Sequence, residues 1–150
     1  MASDNDLIKL YSQRILALAA DIPYRARLDA PQASVKKRAP LCGSTVTVDL
    51  DMTDGVISRF GQDVKACALG QASAAILGQN VLGRSRAEVE ATRDALRAML
   101  KDGGPVPDAP FDGYDVLEPA RDYRNRHASI LLSLDATADA IAEAERAACA

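Results

Sequence analysis

The chain has 150 residues, of which 48% are hydrophobic and 26% charged, the size and composition of a single globular domain. Aromatic residues make up 4% and tryptophan is absent, so an aliphatic core is expected, which favours a mixed or helical fold over an all-β sandwich. The formal net charge of −3 argues against a nucleic-acid partner.

The N-terminal stretch carries Asp4 and Asp6 where a signal peptide needs positive charge. No apolar run reaches the roughly 20 residues that span a bilayer. We therefore expect one domain over residues 1–150, a cytoplasmic location and no membrane partner.

The first predicted element is a helix from about Asp6 to Ala20. Asn5 or Asp6 serves as its cap, and the helix ends before Pro23 because the residue preceding a proline disfavours helical dihedrals. A short edge strand is predicted over residues 33–37, where lysines discourage pairing with another chain.

A β-hairpin follows. Strict alternation of apolar and polar residues over 45–51 predicts a half-buried strand whose Asp49 and Asp51 lie on a solvated face. The letters TDG provide the turn, and residues 56–66 return as a second strand in which Gly61 is a predicted bulge.

The rest of the chain is predicted to be mainly helical. Small residues predict a helix over 68–82, and a Ser-x-x-Glu capping box at Ser85 and Glu88 precedes the next one. After a loop over 102–110, a short helical piece leads into a long terminal helix. The elements together predict an α+β fold with a small antiparallel sheet of about three strands.

Three cysteines with no repeating spacing do not make a secreted disulfide framework. Cys149 lies next to the C-terminus, which leaves Cys42 and Cys67. The predicted hairpin places Cys42 opposite about Lys65 or Ala66, so the two thiols become neighbours, with alpha carbons roughly 6 to 9 Å apart. Cys67 also begins a helix, where the dipole favours a thiolate.

The chain has one histidine, His127, predicted at the start of the terminal helix with a ring nitrogen free to coordinate. Three interpretations of Cys42, Cys67 and His127 stay open from spacing alone: a metal site, two ordinary half-buried thiols, or a redox disulfide between the cysteines. Ser44 and His127 do not indicate a hydrolase, because the Gly-x-Ser-x-Gly nucleophile elbow is absent.

The order of "LYSQRI", "PLCGSTVTVDLDMTDGVISRFGQDVKACALGQAS", "GRS" and "RHASILL" resembles the U-type iron-sulfur cluster scaffold family, comprising IscU, SufU and the N-terminal domain of NifU. The likeness extends from about Leu10 to Ile141. In that family a Cys-Gly-Asp motif precedes a hairpin, a second cysteine begins a helix of small residues, and a third begins the last long helix. Cys42 with Gly43 matches the first motif, and Cys67 matches the second.

The chain also departs from the family pattern. Ser44 stands where the family has aspartate. The third motif lacks its cysteine: either His127 takes that place, or His127 matches the preceding histidine and Ala128 replaces the cysteine. The spacer before "RHASILL" is similar to the longer one of SufU-type members.

The resemblance implies an α+β fold with helices packed on one side of the sheet and a scaffold-like role in iron-sulfur cluster assembly. Its implied cargo is iron or a transient [2Fe-2S] cluster, alternatively zinc, held by Cys42, Cys67, His127 and Ser44. Sulfur would come from a cysteine desulfurase, with Cys67 or Cys42 as persulfide acceptor, and apo iron-sulfur proteins would be the recipients. A partner-facing rim is predicted from six basic residues: Lys36, Lys37, Arg38, Arg121, Arg124 and Arg126.

Two alternatives go with this hypothesis. One is a zinc-dependent sulfurtransferase of SufU type, which would be an enzymatic role. The other is a paralogue that has lost the cluster and acts as a binding module.

Overall fold

The computed structural model describes residues 12–149. Its elements in chain order are α1 (Gln13–Ala20), β1 (Ala33–Arg38), β2 (Thr45–Thr53), β3 (Val56–Lys65), α2 (Ala68–Asn80), α3 (Arg86–Lys101), a 3-10 helix (Asp112–Asp122) and α4 (Arg124–Cys149). The predicted helix start at Asp6 and its caps lie outside the described residues. In the described part, Ser12 caps α1 by accepting a hydrogen bond from the Ile15 backbone N–H.

The three strands form one antiparallel sheet in the order β1-β2-β3, which confirms the predicted fold class. Asp54 and Gly55 make the β2–β3 turn, and both have positive φ, 55° and 81°. Two such residues are typical of a type I′ turn, whose twist matches that of the flanking strands. Ser85 and Glu88 form the predicted capping box at the start of α3.

Gly61 is not the predicted bulge. The β2–β3 register shifts by one residue just after Asp51, which makes Ser58 the extra residue of β3, whereas Gly61 pairs regularly with Asp49. A Cβ at Gly61 would lie 2.3 Å from the carbonyl oxygen of Ala26. The glycine is therefore needed for the close passage of another chain segment over the sheet.

The apolar face of the sheet is covered by helices. Val46, Val48 and Leu50 are buried on that face, and α4 packs across β1 and β2. Helix α2 packs against both α1 and α4, while α3 lies against α4 and the 3-10 helix. The buried apolar residues form one core cluster. Within residues 12–149 no helix is long and apolar enough to cross a membrane.

The opposite face is partly covered as well, and the prediction that Asp49 lies on a solvated face is wrong. Asp49 is fully buried and accepts hydrogen bonds from Arg27 Nε at 2.7 Å, the Leu28 backbone N–H at 3.0 Å and Ser34 Oγ at 2.6 Å. Burial alone would raise the pKa of Asp49, but these three donors lower it below its ordinary value. The buried carboxylate thus fixes residues 27–28 against the sheet.

Candidate two-thiol site

Cys42 lies in a tight loop between β1 and β2. The Gly43 backbone N–H donates to the Ala39 carbonyl at 2.9 Å, and the Ala39 N–H donates to the Ser44 carbonyl at 2.8 Å. Gly43 has a φ of +71°, a left-handed conformation that other residues rarely adopt. These bonds fold the loop back so that Cys42 stands at the edge of the sheet.

Cys67 occupies the N-cap position of α2, two residues after the end of β3. Thr45, the first residue of β2, pairs with Lys65, the last residue of β3, so both cysteines lie at the same edge of the sheet. The predicted pairing of Cys42 itself with Lys65 is off by three positions, because Cys42 lies in the loop before β2. The predicted closeness of the two cysteine-bearing segments nevertheless holds.

A pair of buried serines connects the two thiols. Ser44 Oγ lies 3.2 Å from Cys42 Sγ and 3.0 Å from Ser129 Oγ, and Ser129 Oγ lies 3.6 Å from Cys67 Sγ. Ser44 and Ser129 are buried, whereas both thiols are half-buried. The site is therefore two half-buried thiols above an internal hydroxyl pair.

No sequence motif singles out Ser129, although His127, two residues earlier, is a predicted ligand. Two residues apart on an α-helix differ by about 200° around the axis, so only one of the two can face the thiols. The structure gives that position to Ser129. The rotation of α4 about its own axis therefore decides which of the two residues faces the thiols.

His127 faces away from the thiols. It is buried, and its Nε2 lies 2.9 Å and 3.1 Å from the carbonyl oxygens of Ala120 and Arg121. It lines a cleft of about 580 Å³ together with Lys101 and Arg124. Among residues 12–149, no cluster of three or more His, Cys, Asp or Glu side chains is arranged to hold a metal ion. A ligand role for His127 stays a prediction.

Helices α2 and α4 approach closely beneath the site. A Cβ on Gly70 would lie 2.5 Å from Ser129 Oγ and 2.8 Å from the Ala66 Cβ. Small residues in α2 therefore let Ser129 come within reach of Cys67. The small residues predicted for this helix thus allow the close approach of α2 and α4 at this site.

The environment of Cys42 favours its thiolate. Burial raises the pKa of the Cys42 thiol, but hydrogen bonds from Ser44 and Ser129 and the positive charge of Arg126 outweigh it and lower the pKa below the ordinary value. Because the thiolate is the nucleophilic form of cysteine, Cys42 is equipped to attack an electrophilic sulfur or to bind a soft metal.

A scan of the sequence against models of known protein families finds no match. The chain is 45% identical to the N-terminal part of a nitrogen-fixing NifU-like protein from Brucella abortus, whose crystal structure superposes with a TM-score of 0.91. The match covers 94% of this chain and 98% of the Brucella chain. The chain belongs to the U-type iron-sulfur cluster scaffold family. The resemblance carried by the cysteine motifs is thereby confirmed.

Two further known proteins are similar to the chain at lower identity. The chain is 28% identical over 80 residues to the iron-sulfur cluster assembly scaffold protein IscU of Thermotoga maritima. That match covers 53% of this chain and 56% of the relative, so it spans little more than half the length of this curated protein. A SUF-system scaffold candidate from Fervidobacterium islandicum AW-1 is 17% identical with a TM-score of 0.79 over 89% of this chain, a likeness of fold alone.

Proposed function

We propose that this chain is a scaffold-like protein of iron-sulfur cluster assembly that receives sulfur at Cys42, next to Cys67, and passes it on for cluster building. One observation supports this most directly. In a U-type chain, thiols from two distant segments converge on the Ser44–Ser129 hydroxyl pair. The proposal takes residues 1–150 as one functional domain, with a cysteine desulfurase as sulfur donor and apo iron-sulfur proteins as recipients.

The chemistry of sulfur receipt is a thiol–persulfide exchange. The Cys42 thiolate attacks the terminal sulfur of a cysteine persulfide on the donor protein. The donor's sulfur–sulfur bond breaks, its cysteine leaves as a thiolate, and Cys42 carries the new persulfide. Sulfur moves without net oxidation, so no further oxidant or reductant is needed.

The donor atoms do not fit a resident zinc ion. Structural zinc sites are closed by four Cys or His ligands, whereas this site gathers two thiols and two hydroxyls. Iron or a [2Fe-2S] cluster is cargo in this proposal. Cys42 and Cys67 supply two ligands, and the others come from sulfide, solvent or a partner protein.

The same two-thiol set supports a second candidate, a family member that binds partners without handling a cluster. The two candidates differ in one respect: a cluster-less binding module accepts no sulfur on either cysteine. A zinc-dependent sulfurtransferase, in contrast, contains stoichiometric zinc as purified.

The test combines sulfur transfer with anaerobic reconstitution. The chain is incubated with a cysteine desulfurase and radiolabelled cysteine, and the persulfide is located by mass spectrometry of peptides. Parallel samples receive iron and sulfide and are followed by absorption spectra and metal analysis. The variants are Cys42→Ser and Cys67→Ser, with Cys149→Ser, the same substitution at the remaining cysteine, as the matched control.

We expect labelled sulfur on wild type and on the Cys149→Ser variant, and none on the Cys42→Ser variant. Cluster absorption should need both cysteines and should be lost on gel filtration. Unchanged sulfur acceptance after both cysteines are replaced would refute the proposal, and stoichiometric zinc bound through them would favour the zinc-dependent sulfurtransferase.

A further inference from the structure

Two basic residues lie in one row across the sheet, at the edge where Cys42 and Cys67 lie, which we call the thiol edge. Arg38 pairs with Thr45, and Thr45 pairs with Lys65. Directly paired residues of an antiparallel sheet point to the same face. That face is the one away from α4, because the neighbouring Lys37 points to the other face and contacts Asp139 of α4 at 2.8 Å.

Two further cations extend this row. Lys36 lies two residues before Arg38 and shares its face, and the Arg25 guanidinium donates to the Val64 carbonyl at 3.1 Å. We call Arg25, Lys36, Arg38 and Lys65 the basic edge. All four are exposed, and in the described part of the chain none of them forms a salt bridge.

The basic edge is a local excess of positive charge in an acidic protein. The whole chain has a formal charge of −3, yet four cations gather here. Asp63 is the carboxylate in the same rows, opposite Thr47, which itself pairs with Lys36. One carboxylate against four cations leaves a net positive charge, which attracts a partner of opposite sign and speeds its approach.

The six basic residues predicted from the sequence to form a partner-facing rim do not all lie on one surface. Lys37 is held by Asp139, and Arg121 donates to the carbonyl oxygens of Met99 and Gly104, so both serve the fold. Lys36 and Arg38 belong to the basic edge, which also contains Arg25 and Lys65. Arg124 lines the cleft beside His127, and the positive charge of Arg126 acts on Cys42.

An exposed apolar side chain connects the basic edge to the reactive thiol. Leu41 is 78% exposed and directly precedes Cys42. Arg38 Nη2 lies 4.0 Å from the position that a Cβ on Gly43 would occupy. Leu41 and Cys42 are thus adjacent residues of a loop that the Arg38 guanidinium approaches at Gly43, and a partner that docks over this loop can bury Leu41 beside the point of transfer.

We propose that the basic edge and Leu41 form the docking surface for an acidic segment of the protein that donates sulfur to Cys42. This inference rests on the proposed function. Charge complementarity guides the donor to the thiol edge, and burial of Leu41 holds its persulfide near Cys42. Sulfur transfer from a protein donor then depends on this surface, whereas transfer from a small persulfide does not.

The test compares two sulfur donors on the full chain: a cysteine desulfurase and free cysteine persulfide. The double variant Arg38→Glu/Lys65→Glu reverses two charges of the basic edge. The control double variant Lys101→Glu/Arg146→Glu makes the same change in net charge at exposed positions outside the basic edge. Leu41→Ser removes the apolar contact. Circular dichroism checks that every variant is folded.

For Arg38→Glu/Lys65→Glu we expect desulfurase-dependent transfer to fall about tenfold or more at low salt, with a weaker salt dependence than in wild type. Leu41→Ser should slow transfer severalfold, and the control should match wild type. All variants should accept sulfur from cysteine persulfide at the wild-type rate.

Three outcomes would overturn the docking surface alone. These are equal desulfurase rates in the basic-edge and control variants, an equal loss with cysteine persulfide, and tight binding of an RNA oligonucleotide to the basic edge at physiological salt. If wild type accepts sulfur from neither donor, the proposed function fails and the docking surface fails with it.

Discussion

At the scale of single residues, Ser44 and Ser129 supply the hydroxyl groups that contact the thiols of Cys42 and Cys67. Each hydroxyl contacts a thiol and the other serine, and both are buried where solvent does not compete. A hydroxyl that donates to a thiolate stabilises its negative charge. The serine pair thus favours the thiolate form of Cys42.

Replacing Ser129 with alanine should make Cys42 less reactive. In a Cys67→Ala/Cys149→Ala background, we expect Ser129→Ala to raise the pKa of the Cys42 thiol, because one donor to the thiolate is lost. Alkylation by iodoacetamide at neutral pH should slow severalfold, and its pH profile should move to higher pH.

Ser133→Ala is the matched control for this change. Ser133 lies one turn further along α4, and its Oγ has no hydrogen-bond partner in the described part of the chain. Its alkylation profile should equal that of the background. A Ser129→Ala profile that also equals the background would contradict the role of the serine pair.

Asp49 is the residue whose charge contributes most clearly to stability. Replacing it with asparagine should destabilise the fold by about 3 kcal/mol at pH 7, since the charge-assisted bonds from Arg27, Leu28 and Ser34 are weakened or lost. Urea unfolding measures this difference. Asp54→Asn, an exposed turn substitution, should stay within about 0.5 kcal/mol of wild type.

The pH dependence of the Asp49 effect follows from its lowered pKa. A carboxyl whose folded pKa is depressed adds stability above its unfolded pKa of about 3.9 and loses that contribution as pH falls through the folded pKa. The stability difference between wild type and Asp49→Asn should therefore be full at pH 7 and shrink below about pH 4. A difference that is constant with pH would contradict this account.

At the scale of elements, the contact between α2 and α4 decides whether the site forms. Gly70→Ala adds a Cβ that meets Ser129 and Ala66 at 2.5 and 2.8 Å. We expect a net loss of about 1–2 kcal/mol of stability, because the strain of overpacking exceeds the roughly 1 kcal/mol gained in helix propensity. Urea unfolding provides the measurement.

Gly113→Ala is the control for Gly70. Its added Cβ would meet Ile76 at 3.7 Å, an ordinary van der Waals contact, so little change is expected. Equal effects of the two substitutions would show that Gly70 is not needed for close helix approach.

At the scale of the whole molecule, α4 is the helix that contacts both the sheet and the other helices of the core. It packs against β1, β2, α2, α3 and the 3-10 helix. Leu134 is fully buried in the single core cluster. Damage to this helix should therefore affect the whole fold rather than one edge.

Leu134→Ala should destabilise the protein by about 3 kcal/mol through a cavity in the shared core. We expect far-UV circular dichroism and tyrosine fluorescence to report the same unfolding midpoint, since one core unfolds as one unit. Leu16→Ala changes a side chain that is 51% exposed and should cost far less. Separate midpoints for the two probes would contradict a single cooperative core.

The sequence by itself determined the elements and the neighbourhood of the two cysteines. Alternation along β2, the Asp54–Gly55 turn and the Ser85–Glu88 capping box are local signals, formed by residues within a few positions of each other. The closeness of Cys42 and Cys67 also follows from local structure, because a hairpin returns the chain to where it began.

Tertiary structure alone decided which side chains meet. Asp49 alternates like a surface residue, yet it is buried because a segment distant in sequence crosses that face of the sheet. Ser129 rather than His127 reaches the thiols because the rotation of α4 about its axis is set by packing against the whole core. Such orientations depend on long-range contacts, and no short stretch of sequence contains them.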